Sequence, residues 1–251
     1  MIKIHELDSY NKLLLSHPHI VAAHFQPIIS PDVDDETRKA AEYLANRAGA
    51  CLAAIMQMAR VVEDMQTTYR MISRYPWKSK HISKSKHLDL TWFLFQNLCY
   101  KYPEKIKLYF NVSRPLCELL HIETPTWLKE QLRKTQKEFS RDIRDRGNTV
   151  HSWDVLNSDI ETFDLVSFFH NLDADIQNFD LPHTFHDLDG HYRDAKWMLK
   201  IRAEKLISAA ESALVNILEH HKPTPITIVG MISDILHKVN QGEVVLSTKK
   251  K

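Results

Sequence analysis

The sequence predicts an all-α fold, an antiparallel helical bundle with two unusually long helices and additional short helices. Only 5 of the 251 residues are glycine, whereas strand-and-turn folds and nucleotide-binding α/β folds usually need more glycine at their turns. Apolar residues recur at the three-and-four spacing of a helix, and the alternation typical of strands is scarce. The chain is 43% hydrophobic and 26% charged, which is typical of a soluble globular protein and argues against a disordered or fibrous one.

The first long helix is predicted over residues 33–74. The letters SPDVDDE place proline and acidic residues at its start, where the helix dipole favours negative charge. Only Gly49 interrupts the apolar pattern. A helix of some 40 residues would be about 60 Å long, so we expect either a kink near Gly49 or pairing with a second copy. The predicted apolar positions are Ala41, Leu44, Ala48, Leu52, Ile55, Met56, Ala59, Val62 and Met65.

Three helices are predicted between residues 88 and 120. Residues 88–102 are rich in aromatic and aliphatic side chains, which indicates a buried helix. Pro103 begins a second helix and Pro115 a third, because proline is favoured in the first turn of a helix and disfavoured in its interior. The third helix is predicted to end near Leu120.

The second half of the chain is predicted to contain four more helices. The first of them begins at Thr124-Pro125 and breaks at Gly147, and the letters KPTP end the third, which is the second long helix. These helices are predicted over residues 125–145, 154–180, 192–221 and 226–240.

The chain is expected to form one helical domain over residues 31–240, preceded by an appendage over residues 1–30 and followed by a flexible basic tail over 241–251. No composition change divides the central part. No segment approaches the roughly 18 uninterrupted apolar residues of a membrane span, and the N-terminus does not resemble a signal peptide. We therefore expect a cytoplasmic protein that does not bind membranes.

The cysteines, the net charge and the absent motifs limit the classes of function that the sequence allows. Cys51, Cys99 and Cys117 lie in apolar surroundings without a CxxC pair, which favours buried, reduced thiols over a disulfide framework. The net charge is +1, so any contact with nucleic acid has to come from a local patch. The GxGxxG, Walker and GxSxG signatures are absent, which argues against a P-loop or dinucleotide enzyme.

The stretch RDIRDRGNTVH at residues 141–151 carries the candidate catalytic residues. It follows a charged amphipathic helix and contains short polar side chains able to orient an arginine or a histidine. On a continuous helix, positions 144 and 151 face the same way about 10 Å apart along the axis, whereas positions 146 and 151 diverge by roughly 140°. A turn at Gly147 would bring Arg146 towards the histidine. The candidates are Arg144, Asp145, Arg146, Asn148 and His151.

An all-helical chain with a helix ending IRDRGNTVH resembles the HEPN superfamily, the higher eukaryotes and prokaryotes nucleotide-binding domains, over about residues 35–220. The hallmark of that family is an arginine, a polar residue, a few further residues and a histidine. Arg144-Asp145 matches this pattern, whereas Arg146-Gly147 has a commoner gap before the histidine but departs from it in the second position. Both arginines stay candidates, with Arg144 favoured.

The resemblance implies a helical bundle that forms a homodimer and brings two Arg/His pairs into one cleft. Many HEPN domains are metal-independent ribonucleases of toxin–antitoxin, phage-defence or RNA-processing systems, and others only bind or act as scaffolds. RNA would then be a ligand and an antitoxin a partner, with no cofactor. RNA supplies its own 2′-OH nucleophile, a neutral imidazole can move that proton, and a guanidinium can hold the phosphate.

The basic, proline-interrupted segment 74–87 is a second candidate, since lysines grip a nucleic-acid backbone and a tryptophan stacks on a base. Its alternative is a solvated loop. The candidate RNA-binding residues are Arg74, Trp77, Lys78, Lys80, Lys84 and Lys86.

A metal site is not expected. The spacing of His183, His186 and His191 is not a standard zinc spacing and has no cysteine nearby. The neighbouring Asp187, Asp189 and Asp194 could contribute carboxylates to such a site, and the alternative is that Asp187 or Asp189 caps the start of a helix.

Two hypotheses of different classes follow. One is a HEPN-like homodimer that binds or cleaves RNA, and the alternative is a non-catalytic helical interaction protein that dimerises through its long helices.

Overall fold

The computed structural model describes five segments of the chain, and within them it contains five α-helices and no β-strand. The all-α prediction is confirmed. The predicted appendage over 1–30, the helix over 154–180 and the tail beyond residue 243 lie outside the described residues. In the part of the chain that the structure describes, no helix is long and apolar enough to span a membrane. The described segments are residues 32–74, 83–119, 126–152, 188–221 and 228–243.

Helix α1 (Asp35–Ser73) confirms the first long helix at 39 residues, and it continues through Gly49. Asp34 caps its start, because the Asp34 Oδ1 atom accepts hydrogen bonds of 3.0 Å from the backbone N–H groups of Glu36 and Thr37. The bond from Thr37 is the main cause of a lowered Asp34 pKa. Most predicted apolar positions are buried, but Met56 is exposed, since neighbouring positions 55 and 56 point about 100° apart on a helix.

Helix α2 (Lys84–Leu119) replaces the three helices predicted between residues 88 and 120, so the predicted boundaries at Pro103 and Pro115 are wrong. A proline inside a helix removes one backbone hydrogen bond and costs about 3 kcal/mol. Burial of large side chains on both sides of Pro103, Tyr102 and Ile106 among them, offsets that cost. At 36 residues, α2 joins α1 as a long helix.

Helix α3 (Thr126–Ser152) continues five residues past Gly147, so the predicted break there is wrong. One glycine in a helix interior costs only about 1 kcal/mol. Its backbone N–H remains available for the helical hydrogen-bond ladder, unlike that of proline. The end of α3 is therefore one continuous helix through position 151.

Helices α4 (Leu188–His221) and α5 (Ile228–Asn240) confirm the last two predictions, although α4 begins four residues earlier than predicted. The end of α5 is a Schellman motif. The N–H of Glu243 donates to the carbonyl of Lys238, and the N–H of Gly242 donates to that of Val239, both at 3.0 Å. Gly242 has a φ of 73°, a left-handed conformation that favours glycine.

Packing divides the chain into two compact units, and each of α1 to α4 contributes residues to both. Unit 1 comprises Met1–Arg60, Glu104–Lys134 and Glu211–Lys251, and unit 2 comprises Val61–Pro103 and Thr135–Ala210.

The core of unit 1 contains small residues of α1 and two buried free thiols. Ala41 and Ala48 are fully buried, as is Cys51, and Cys117 of α2 is nearly so. Burial raises the pKa of Cys51 to about 12 and also raises the pKa of Cys117. The prediction of buried, reduced cysteines is confirmed for both.

The core of unit 2 joins α2, α3 and α4 through buried aromatic side chains. Tyr102 and Phe139 meet edge to face with ring centroids 6.0 Å apart. The hydroxyl of Tyr102 donates a 2.6 Å hydrogen bond to the carbonyl of Ala210. Trp92 and Phe95 stack at 5.3 Å. The first two contacts join α2 to α3 and to α4 in unit 2, the unit that contains the end of α3.

Candidate functional site

The predicted catalytic residues all lie on the last part of α3, where the backbone is helical. The side chains of Asn148 and His151 lie outside the described residues, and their backbone positions are helical. Because α3 continues through Gly147, the turn that would bring Arg146 towards His151 is not formed.

Helical phase separates the two arginines. The buried residues Thr135, Phe139 and Asp142 define the inner face of α3. At about 100° per residue, position 144 falls on the opposite, outer face, together with positions 148 and 151. Position 146 falls on the inner face, in agreement with the partial burial of Arg146.

Arg144 is exposed and makes no hydrogen bond or ion pair to any described residue. Its guanidinium carries donors that match the oxygens of a phosphate. The continuous helix places position 151 seven residues further, about 10 Å along the axis on the same face.

Arg146 is held in place by α2. Its Nε donates a 2.7 Å hydrogen bond to Asn97 Oδ1, and its guanidinium carbon lies 4.5 Å from the centroid of the Tyr100 ring. Asn97 is itself oriented, since its Nδ2 donates to the carbonyl of Phe93 at 2.9 Å. These contacts give Arg146 a packing role between α2 and α3.

Asp145, expected to orient an arginine or histidine of the site, contacts Arg202 of α4. Arg202 Nη2 lies 3.3 Å from Asp145 Oδ2 and 2.6 Å from Asp142 Oδ1. The shorter contact is an ion pair with the buried Asp142 carboxylate. Arg202 also covers the Trp92 ring at 5.4 Å. The same Asp145 Oδ2 atom also lies 3.7 Å from Arg141 Nε.

Burial is the largest influence on the pKa values of Asp142 and of the nearby Cys99. Burial raises the pKa of Asp142, and the charge of Arg202 opposes that rise. The nearby Cys99 is fully buried, and burial raises its pKa well above the ordinary value, with Asp142 adding to the effect. A buried thiol with a raised pKa is a poor nucleophile.

Sequence reasoning did not identify the pairing of Asp142 with Arg202 beside Trp92. A signal was present, because Asp142 continues the spacing of Leu128, Thr135 and Phe139 and so occupies a position on the buried face of α3. A charge at such a position indicates a counter-charge on a neighbouring helix.

The end of the basic segment 74–87 is helical, because α2 begins at Lys84. Ser83 caps this helix by accepting the backbone N–H of Lys86 at 3.1 Å. Lys84 is paired with Asp189 and Lys86 with Asp89, which offsets the unfavourable placement of lysines at a helix N-terminus. Arg74 directly follows α1. The candidates Trp77, Lys78 and Lys80 lie outside the described residues.

The histidine-rich segment is also only partly described. His183, His186 and Asp187 lie outside the described residues, whereas Asp189, His191 and Asp194 belong to the first turns of α4. Among the described residues, no group of three or more His, Cys, Asp or Glu side chains is arranged to hold a metal ion.

Comparison of the chain with protein-family models, with curated proteins and with solved structures gives no significant match. The class of protein that the fold defines is an all-α helical protein built on long helices.

Proposed function

We propose that the outer face of α3 is a HEPN-type site that binds RNA and cleaves it without a metal, and that the protein acts as a homodimer. The observation that carries this proposal is the exposure and position of Arg144. This residue is exposed, has no partner among the described residues and shares a helix face with position 151. Its neighbours Asp145 and Arg146 are engaged in packing contacts.

The chemistry assigns one role to each side chain. Arg144 holds a phosphate through two parallel hydrogen bonds and offsets the charge that develops in the transition state. His151 moves the proton of the 2′-OH or of the leaving oxygen, because an imidazole titrates near neutral pH. No cofactor enters this reaction.

A homodimer suits the spacing of the two residues. The point midway between positions 144 and 151 lies at positions 147–148. Two α3 helices that cross antiparallel on a two-fold axis at that point bring position 144 of one copy level with position 151 of the other. Gly147 lies at the crossing, and the absence of a Cβ atom there allows a close approach of the two helices.

The test is an RNA cleavage assay in EDTA with the full chain and single-stranded RNA. We expect His151→Ala to lower the rate by about 10²- to 10⁴-fold and Arg144→Ala by about 10²-fold or more. Arg133→Ala is the matched control, because Arg133 is another exposed arginine on α3, three turns earlier. Its rate should equal that of the wild type. Equal cleavage by His151→Ala and wild type refutes the catalytic assignment.

The alternative is a non-catalytic helical interaction protein. Leu90 and Leu94, one turn apart on α2, are both exposed, and such a pair favours packing against another helix. On this hypothesis, substitutions at Arg144 and His151 leave function unchanged. A stable monomer in light scattering, with no co-purifying partner, would count against it.

A further inference from the structure

One flank of α4 in unit 2 carries a concentration of positive charge. Arg193, Lys196 and Lys200 follow each other at intervals of three and four residues, so they are neighbours on the helix surface. Lys196 and Lys200 make no ion pair with any described residue. Burial and the charge of Lys200 lower the pKa of Lys196, as expected where like charges are brought together.

Aromatic rings lie among these cations. The Lys196 ammonium is 5.8 Å from the centroid of Tyr192, and that of Lys200 is 5.4 Å from the centroid of Tyr69 on α1. Trp197 lies between the two lysines in sequence and on the same flank. Its side chain is 60% exposed, the largest exposure among the exposed large hydrophobic residues of the described chain. A tryptophan so exposed offers a flat surface for stacking.

Two carboxylates lie at the ends of this flank and have partners, while a third, the exposed Asp194, borders it beside Arg193. Asp189 is bonded to Lys84 at one end. At the other end, Glu204 accepts a hydrogen bond from the hydroxyl of Tyr69. Between the two ends, three cations lie beside an exposed indole ring, which is the combination that binds a phosphate backbone and stacks bases.

We propose that the flank of α4 formed by Arg193, Lys196, Trp197 and Lys200 binds single-stranded nucleic acid. The cations hold backbone phosphates, and the indole of Trp197 stacks on an unpaired base. An acidic protein and a nucleic acid would both use the cations, and the exposed indole beside them adds a surface on which an unpaired base stacks. The proposed site consists of residues of α4, and binding there does not require cleavage at α3.

The experiment measures binding in a protein that cannot cleave by the proposed route. The full chain carries His151→Ala, and a dye-labelled single-stranded oligonucleotide is titrated in EDTA by fluorescence anisotropy at several salt concentrations. At 0.15 M salt we expect Lys196→Ala and Lys200→Ala to weaken binding about 4-fold each and about 15-fold together. The slope of log K against log salt should flatten by about 0.7 per lysine.

The tryptophan gives a second, independent readout. Trp197→Ala should weaken binding about 5-fold or more without changing the salt slope, and Trp197→Phe should retain most of the affinity. Two matched controls lie on other flanks of the same helix. Lys205→Ala removes the same charge and Met198→Ala removes another exposed apolar side chain, and both should bind as the wild type does.

Two results would overturn the proposal. One is an equal loss of affinity in Lys205→Ala and in the lysine variants of the flank, which would show a non-specific charge effect. The other is binding of a polyglutamate peptide where the oligonucleotide does not bind, which would make the flank a surface for acidic proteins. Because cleavage plays no part in the assay, failure of the α3 proposal leaves both readouts unaffected.

Discussion

Replacing Arg202 with methionine is expected to destabilise unit 2, because it leaves Asp142 buried without its counter-charge. Arg202 lies 2.6 Å from the Asp142 carboxylate and 3.3 Å from that of Asp145. Methionine keeps much of the apolar length that covers Trp92 and removes the charge. The loss of stability in Arg202→Met therefore reflects the loss of the ion pair more than the loss of packing on Trp92.

The structure sets the size of this effect. Asp142 is only 2% exposed, and removing one partner of a buried ion pair costs about 3–5 kcal/mol. The Arg202 side chain is 19% exposed, so water reaches one side of the pair and the lower figure of about 3 kcal/mol applies. For a chain of this size, each 1 kcal/mol lowers Tm by about 2–4 °C. We therefore expect Tm to fall by about 6–12 °C.

The loss should depend on pH in a definite direction. Burial raises the pKa of Asp142 and Arg202 opposes the rise, so the pKa rises further in Arg202→Met. A carboxyl whose folded pKa is raised binds its proton more tightly in the folded chain, so stability is lost as pH rises through that pKa. The difference in Tm between variant and wild type should be largest at pH 7.5 and smaller at pH 4.5.

The assay is thermal unfolding followed by circular dichroism at both pH values. Adding Asp142→Asn to Arg202→Met should recover most of the lost stability, since the buried charge is then absent. Arg141→Met is the matched control. Arg141 pairs with Asp145 but is 68% exposed, and its loss should cost less than about 1 kcal/mol. A loss of stability in Arg202→Met no larger than that in Arg141→Met would refute the reasoning. So would a double variant, Arg202→Met with Asp142→Asn, that regains none of the lost stability.

Three further predictions concern the helices. Tyr102→Phe removes the 2.6 Å hydrogen bond to the carbonyl of Ala210 and should lower the free energy of unfolding in urea by about 1 kcal/mol. Phe139→Ala opens a cavity in the core of unit 2 and should cost about 3–5 kcal/mol in the same assay. Asp34→Ala removes the cap of α1 and should lower Tm at neutral pH. Because the Asp34 pKa is lowered, this effect should vanish as pH falls through its folded pKa, and a constant difference would contradict it.

The helices that the sequence predicted well have local signals at their ends. Asp34 caps α1 with two backbone hydrogen bonds, and Gly242 ends α5 in a left-handed conformation. Between such ends, apolar residues repeat at helical spacing over the whole of α1 and α4. Local hydrogen bonding and the hydrophobic pattern therefore agree, and both can be recognised in one sequence.

The boundaries that the sequence predicted wrongly depend on contacts between distant residues. Pro103 and Pro115 lie inside α2, where local rules place helix starts. Side chains of α2 that flank Pro103 are fully buried, and their burial offsets the loss of one backbone hydrogen bond. The sequence shows the proline but not which side chains are buried on either side of it. Whether the helix ends or continues there therefore cannot be predicted from the local sequence.

The roles of the arginines on α3 depend on helical phase. The sequence predicted a break at Gly147, so the phase of His151 relative to the arginines could not be predicted from it. With a break there, Arg146 would stay a candidate beside the favoured Arg144. With the continuous helix, Arg146 lies on the inner face and is bonded to Asn97, whereas Arg144 shares the outer face with position 151. An arginine satisfied by its own fold contributes to stability, and one exposed without a described partner is available for a phosphate. Asn97→Ala and Arg144→Ala separate these roles, because the first should lower Tm with little effect on RNA binding and the second should do the reverse.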